Sequence, residues 1–441
     1  MDKCTSQAVA FALGVFAPSV AMSQGTPPLQ ICWAEWDPAL YLFDLSKEFT
    51  VETDIQVDLE LVPWTSFADV MISRLEGGDA TCDIMIGDSQ WIGLAAEEGH
   101  YEPLNSFLSE AEIDMEAYLT RAVDAYSAWP KGSANYYALP AMGDALGWVY
   151  RQDWFERPGI AADFQNEHGR PLRVPASWQE LLEVAQFFQG REIDGQVVSG
   201  AAIYDERASE GITMGYSSAL YAWDGLYELT PNSYEVDGAI NATAAVNALE
   251  FYKILHDTAT PADLEESYMV GNLDAYSEGR VAMQMNWFAF FPGIHADRSV
   301  GRGRSGFFAN PGEEAVASTL GGQGMSIVSS SSNKDAAYQF LEWFSREEIQ
   351  QKWWDFGGYS VHRSVLERPG FEQTRPFAEE YVTALSGARD FWQEPEYEQL
   401  LAAMQARVHD YVVRDVGTAQ EALDQLARDW QEIFAARAGG L

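Results

Sequence analysis

The sequence predicts an α/β protein in which helices wrap a mostly parallel sheet. Three observations carry this. Strand and helix patterns alternate as β-α-β-α-β-α through the first third of the chain, the middle third reads as mostly helical, and apolar strand patterns return in the last third. Strand signals at both ends suggest that each domain is assembled from discontinuous segments. A chain of 441 residues has room for roughly two to three domains, each with a substantial core.

The first strand is Leu29–Trp33, a short apolar run. Asp37-Pro38 then starts a helix, since Asp is a preferred N-cap and Pro suits the first turn; Leu42, Leu45 and Phe49 share its apolar face. Ile55, Val57, Leu59 and Leu61 alternate as a half-buried strand. Phe67, Val70, Met71 and Leu75 mark the next helix, which Gly77-Gly78 stops. Asp83–Gly87 is a third strand and Trp91–Glu98 a third helix.

In the middle third, Ser177-Trp-Gln-Glu180 is a capping box leading Leu181, Leu182, Ala185 and Phe188 at helical spacing. Ala201–Tyr204 is a short strand, Ala242–Asp257 a helix, and Val281–Asn286 a buried strand followed by Trp287, Phe288, Phe290 and Phe291. The last third opens with Gly321-Gly322-Gln323-Gly324 and the strand Met325–Val328. A helix face follows from Ala337 to Phe344, and a second capping box, Thr418-Ala-Gln-Glu421, leads the final helix.

With 67 acids against 27 bases, the formal charge is −40. A polyanion repels nucleic acid and anionic lipid, so neither is an expected partner. Aromatic residues make up 13%, too many for a disordered chain. One functional reading of the charge is attraction of a cationic ligand. The plainer reading is a solvated, salt-adapted surface, because net charge speaks to solubility more than to a site.

Residues 1–23 read as an export signal: Lys3, an apolar stretch from Ala8 to Ala17, and a small-x-small cleavage site at Ala21-Met22-Ser23. An ordinary apolar helix is the other reading. Cys4 does not follow an apolar run, which argues against a lipid anchor. No later run approaches the ~18 apolar residues of a membrane span. Two cysteines then remain, Cys32 and Cys82. An oxidising compartment permits a disulfide between them; two buried thiols are the alternative. No C-x-x-C or H-E-x-x-H occurs, so neither a metal site nor a cofactor is expected.

Gly301-Arg-Gly-Arg-Ser-Gly306 matches G-x-G-x-x-G, but it lacks the flanking strand and helix of a nucleotide-binding turn. The tryptophans are more informative. Trp33 and Trp36 end the first strand, Trp64 follows the second, and Asp88-Ser-Gln90-Trp91 follows the third. Ligands of open parallel sheets bind beyond the carboxyl ends of the strands. An indole face packs on the C–H face of a sugar while Asp and Gln fix its hydroxyls; the same faces attract a quaternary ammonium. Each residue also has a structural reading: Asp37 as helix cap, Trp33 as core, Trp64 as a hydrophobic staple, and Trp178, Trp343 and Trp430 as helix core.

Several segments in register resemble one family. They are Asp83-Ile-Met-Ile-Gly-Asp88, then Gly99-His-Tyr-Glu-Pro-Leu104, Tyr137-Ala-Leu-Pro140, and Leu146-Gly-Trp-Val-Tyr150 with Trp154-Phe155. Pro175-Ala-Ser-Trp-Gln-Glu-Leu181, Gly279-Arg-Val-Ala-Met283, and Gly321-Gly322 through Ala336-Ala337-Tyr-Gln-Phe340 follow. Together they resemble the family 1 extracellular solute-binding proteins of ABC importers, the maltose-binding-protein-like carbohydrate uptake group. Two positions depart from its pattern: Arg151 replaces an Asn, and Tyr359-Ser-Val-His-Arg363 stands where P-v-R is usual.

The resemblance implies a two-lobed type II periplasmic-binding-protein fold, each lobe a mostly parallel sheet flanked by helices, with a hinge between. Expected boundaries are residues 24–139 with 311–357 for one lobe and 140–310 with 358–441 for the other. It implies a monomer of the periplasm that closes on a small molecule and delivers it to a membrane permease without turnover. By motif position its cleft candidates are Trp36, Asp37, Trp64, Asp88, Gln90, Trp91, Asp144, Trp223, Trp287, Gly322, Gln323, Tyr359 and Arg363. The expected ligand is a sugar or polyol. Its rivals are a compatible solute or a charged sugar derivative. Arg363 or Arg151 in the cleft would favour an anion, whereas an aromatic cage without Arg would favour a quaternary amine. A glycosidase would need two carboxylates at catalytic spacing, and a receptor-coupled sensor would share the fold.

Overall fold

Strands β1 (Leu29–Ala34), β2 (Val57–Val62) and β3 (Ile84–Asp88) form a parallel ladder in the order β2-β1-β3. The structure is a computed structural model and describes residues 27–264 and 266–439; the export-signal reading of residues 1–23, with Cys4, lies outside the described residues. The helices Asp37–Thr53 and Phe67–Glu76 make the crossovers, as the apolar periodicity predicts. The first helix corrects one detail. Trp36 occupies its N-cap, without a side-chain cap, and Asp37 is the exposed first residue of its first turn, where its charge complements the helix dipole.

Two long strands join the halves of the sheet. Strand β4 (Leu139–Arg151) is almost wholly buried. The hairpin β5 (Glu192–Ile193) with β6 (Gln196–Val197) stands apart, and β7 (Ser199–Ala202), β8 (Val281–Trp287) and β9 (Ser305–Ala309) complete the second half. Strand β10 (Ser318–Ile327) lies between β3 and β4, antiparallel to both, and the short β11 (Ala388–Arg389) pairs with its start. The sheet order is β2-β1-β3-β10-β4-β8-β7. The first half of β4 pairs β10, and its second half pairs β8 and β9. In the second lobe β7 and β8 are parallel, whereas β4 is antiparallel to both β8 and β9.

Pro140 sits within β4, a central strand, where a missing N–H would break the ladder. The register shows how this is tolerated. Gln323 pairs Met142 but Gly324 pairs Pro140, so Ala141 is bulged out. The freed carbonyl of Ala141 accepts the Nε1–H of Trp353 at 3.0 Å.

The core follows the helical aromatic stripes. Trp178, Trp343 and Trp430 are all buried, as their spacing predicts, and so are Trp353 and Trp354. Both caps form: Ser177 Oγ accepts the Glu180 N–H at 3.1 Å while Glu180 reaches back to the Ala176 N–H, and Thr418 Oγ1 accepts the Glu421 N–H at 3.2 Å while Glu421 reaches back to the Thr418 N–H. Cys32, in β1, is bonded to Cys82, just before β3, closing a loop 50 residues apart in sequence.

Candidate functional site

The carboxyl ends of β1, β2 and β3 open onto one cleft between the lobes. The turn after β1 supplies Trp36 and that after β2 Trp64, while the last residue of β3 supplies Asp88 and the turn after it Gln90. The crossing strands add Asp144 from β4 and Gly322 and Gln323 from β10; the end of β8 adds Trp287. These residues wall an inner chamber with about 480 Å³ of empty space. An outer chamber of about 1490 Å³ shares Trp64, Asp88, Glu210, Tyr268 and Met269 with it and is also lined by Trp91.

The indoles form a corner. Trp36 and Trp64 lie 5.1 Å apart with planes at 90°, and Phe290 closes in at 6.4 Å from Trp36. The Nε1–H groups of Trp36 and Trp64 are buried and have no partner among the described residues. Trp33 is core, as its structural reading has it, and donates its Nε1–H to Gln323 Oε1 at 2.5 Å. That bond fixes the amide, whose Nε2 donates to Asp88 Oδ1 at 2.7 Å. Glycines let the far wall approach. A Cβ on Gly321 would meet the Trp287 ring at 2.7 Å, and Gly322 has φ +115°, beside the Met142 carbonyl and the Tyr126 hydroxyl.

Three carboxyls line the inner chamber, and burial pushes each of them up. Asp144 rises to about 8, although the N–H groups of Ala145, Ala289 and Phe288 oppose the rise. Asp88 rises to about 7: burial acts first, the Gln323 amide opposes it, and the charge of Asp390 adds to it. Glu210 rises to about 8 through burial and then through the charge of Asp88; it accepts a hydrogen bond from the Tyr397 hydroxyl. Among the described residues, no Lys or Arg lines either chamber. Nor does any group of three or more His, Cys, Asp or Glu stand where it could hold a metal ion, and no helix is long and apolar enough to cross a membrane.

Four sequence candidates are not brought to this cleft. Asp37 points its helix turn at solvent. Trp223 packs on Trp178 and Phe251, at 6.2 and 4.8 Å, inside the second lobe. Tyr359 is buried behind the wall, where its hydroxyl donates to the Phe288 carbonyl at 3.0 Å. Arg363 is half-buried outside the chamber and donates to the Glu116 carbonyl at 3.1 Å and to Thr120 at 3.3 Å. Arg151, at the end of β4, is also held elsewhere, in a two-fold contact with Asp153 at 2.8 Å. Conversely, Met142, Glu210, Tyr268, Met269 and Phe290 line the chamber without being singled out by sequence. Only Phe290 carried a signal, the aromatic run after β8.

A family model described as bacterial extracellular solute-binding protein matches residues 38–351. The chain belongs to that family: it is an extracellular solute-binding protein of the ABC-transporter kind. It is 23% identical over 417 residues to a probable amino-acid ABC transporter periplasmic-binding protein of Sinorhizobium fredii, covering 90% of this chain and 86% of that one. Maltose-bound MalE3 of T. maritima shares the fold with TM-score 0.76 at 20% identity, covering 92% of this chain and 99% of its own. A solute-binding protein of Agrobacterium radiobacter in complex with ribitol does so with TM-score 0.74 at 20% identity, covering 92% and 98%.

Proposed function

We propose that this protein captures a small polyhydroxylated solute, a sugar or polyol, between its lobes and delivers it to the permease of an ABC importer. The observation that carries this reading is the corner of Trp36 and Trp64, whose planes are at 90° and whose N–H groups are free, set beside Asp88, Gln90 and Gln323. Indole faces take the C–H faces of a polyol, and the side-chain amides and carboxyls take its hydroxyls. The maltose and ribitol complexes with the same fold support this class of ligand.

The proposed lobes are residues 24–139 with 311–357 and residues 140–310 with 358–441, after cleavage of an export signal near Ser23. The protein acts as a periplasmic monomer and performs no turnover. The ligand selects the closed state because both lobes touch it there: Trp36, Trp64 and Asp88 from one side, Glu210, Tyr268 and Trp287 from the other. A thermal-shift screen across sugars and polyols tests this, since a cleft binder raises the melting temperature by mass action. Trp64→Phe, which deletes the indole N–H and keeps a ring, should weaken the hit about 2- to 12-fold, the worth of one hydrogen bond of about 0.5–1.5 kcal/mol. If a peptide shifts the melting temperature and no sugar or polyol does, the reading fails.

A further inference from the structure

We propose that the ligand carries a positive charge, as an aminated sugar or polyol does, and that this charge closes the cleft by sitting between Asp88 of one lobe and Glu210 of the other. The proposal rests on the reading of the cleft as the solute site and narrows it.

The chamber combines three features. First, its acids have no basic counterpart. The chain is acid-rich throughout, but its other acids are mostly solvated or ion-paired, whereas Asp88, Asp144 and Glu210 share an aromatic-walled space among the described residues without Lys or Arg. Lys131 acts on Asp390 behind the wall but lines neither chamber. Second, Asp88 and Glu210 are incompletely satisfied. Gln323 binds Asp88 Oδ1 and the Tyr397 hydroxyl binds Glu210 Oε1, and each carboxyl's second oxygen has no partner among the described residues. Asp144 differs, with backbone N–H groups on both oxygens. Third, the walls are aromatic faces, Trp36, Trp64 and Phe290, which attract cations.

Asp88 and Glu210 repel each other across the cleft when both are ionised, and that repulsion is part of what raises Glu210. Asp390, Glu206, Glu266 and Glu398 add negative charge around them, and Tyr268, Tyr397 and Tyr101 face them as neutral phenols. Without a cation between them, burial favours the protonated form of each carboxyl. A cation between them displaces those protons, so binding releases H⁺ and tightens as the pH rises. An anion gains nothing here, since no base meets it.

The experiment is calorimetric titration of the wild-type protein with D-glucitol and with 1-amino-1-deoxy-D-glucitol, and with glucose and glucosamine, at pH 6, 6.5 and 7, where both amines are mainly cations. Each titration is run in phosphate and in ACES, two buffers of different ionisation enthalpy, so that proton release is read directly. The expected result is at least tenfold tighter binding of the aminated member of a pair, with proton release that the neutral member lacks. Glu210→Gln and Asp88→Asn should each reduce the preference for the amine at least several-fold. Neutral ligands binding as tightly as aminated ones would overturn this inference and leave the solute-binding reading intact. A preference unchanged in both variants would overturn it too. If no sugar or polyol, neutral or aminated, gives heat, the proposed function itself fails.

Discussion

The bond between Cys32 and Cys82 offers the most quantitative test of the first lobe. It links β1 to the start of β3, closing a loop 50 residues apart in sequence that contains the helix Asp37–Thr53, β2 and the helix Phe67–Glu76. Chain-entropy arithmetic for a loop of this size removes about 14 cal/mol/K from the unfolded state, or about 4 kcal/mol at 25 °C. Both sulfurs are buried, and the Arg74 guanidinium stands 3.8 Å from one and 3.7 Å from the other while it is ion-paired to Glu60. Replacing the pair with alanine therefore also opens a small void, adding about 1 kcal/mol. The double variant Cys32→Ala/Cys82→Ala should lose about 4–5 kcal/mol, a large share of the usual 5–15 kcal/mol of a folded protein. Urea denaturation followed by tryptophan fluorescence measures this, with thiol titration of the unreduced, denatured wild type as the control. Each single substitution should cost nearly as much as the double one, because either breaks the same bond. A loss below about 1.5 kcal/mol at an unchanged m-value, or two titratable thiols in the wild type, would refute the reasoning.

Three further outcomes are expected. Gly322→Ala places a Cβ 2.6 Å from the Met142 carbonyl at φ +115°, so it should cost about 2–5 kcal/mol in the same urea assay; under 1 kcal/mol would mean that β10 shifts freely. Asp144 keeps its proton to about pH 8 when folded but loses it in the ordinary carboxylate range when unfolded, so it stabilises the fold at low pH and that contribution fades as the pH rises through about 8. Unfolding free energies from urea titrations at pH 5 to 8 should therefore fall by at most about 1.4 kcal/mol per pH unit more in the wild type than in Asp144→Asn, and parallel lines would remove Asp144 from the account. Ser177→Ala deletes the cap of the helix Trp178–Phe188 and should cost about 1 kcal/mol by thermal melting, with ligand affinity unchanged.

Much of the fold was legible because local chemistry and tertiary packing agree here. The strand at Leu29, the stop at Gly77-Gly78 and both capping boxes are short-range signals, and each stands where its pattern places it. The site was legible on one side for the same reason: the ends of parallel strands converge, so Trp36, Trp64, Asp88 and Gln90 fall together from topology alone. The other wall was not. Glu210 and Tyr268 each precede a helix with no motif to mark them, and they reach the chamber only through the packing of the second lobe. Tyr359 and Arg363 lie away from the chamber for the converse reason. Motif position made them cleft candidates, but the chain after Gly358 turns Tyr359 inward behind Phe288 and leaves Arg363 away from the chamber.

The place of β10 in the sheet has a consequence for how the protein is made. It is the strand between β3 and β4, yet it is synthesised long after both. Until Ile327 has been translated, β3 and β4 each carry an open edge, and neither half of the sheet can close. The nascent chain thus stays incomplete through most of its synthesis, with its longest-range pairings reserved for the end. A ribosome-bound chain ending before Ser318 should be readily cleaved by protease throughout, and resistance should appear as a single late step once β10 emerges.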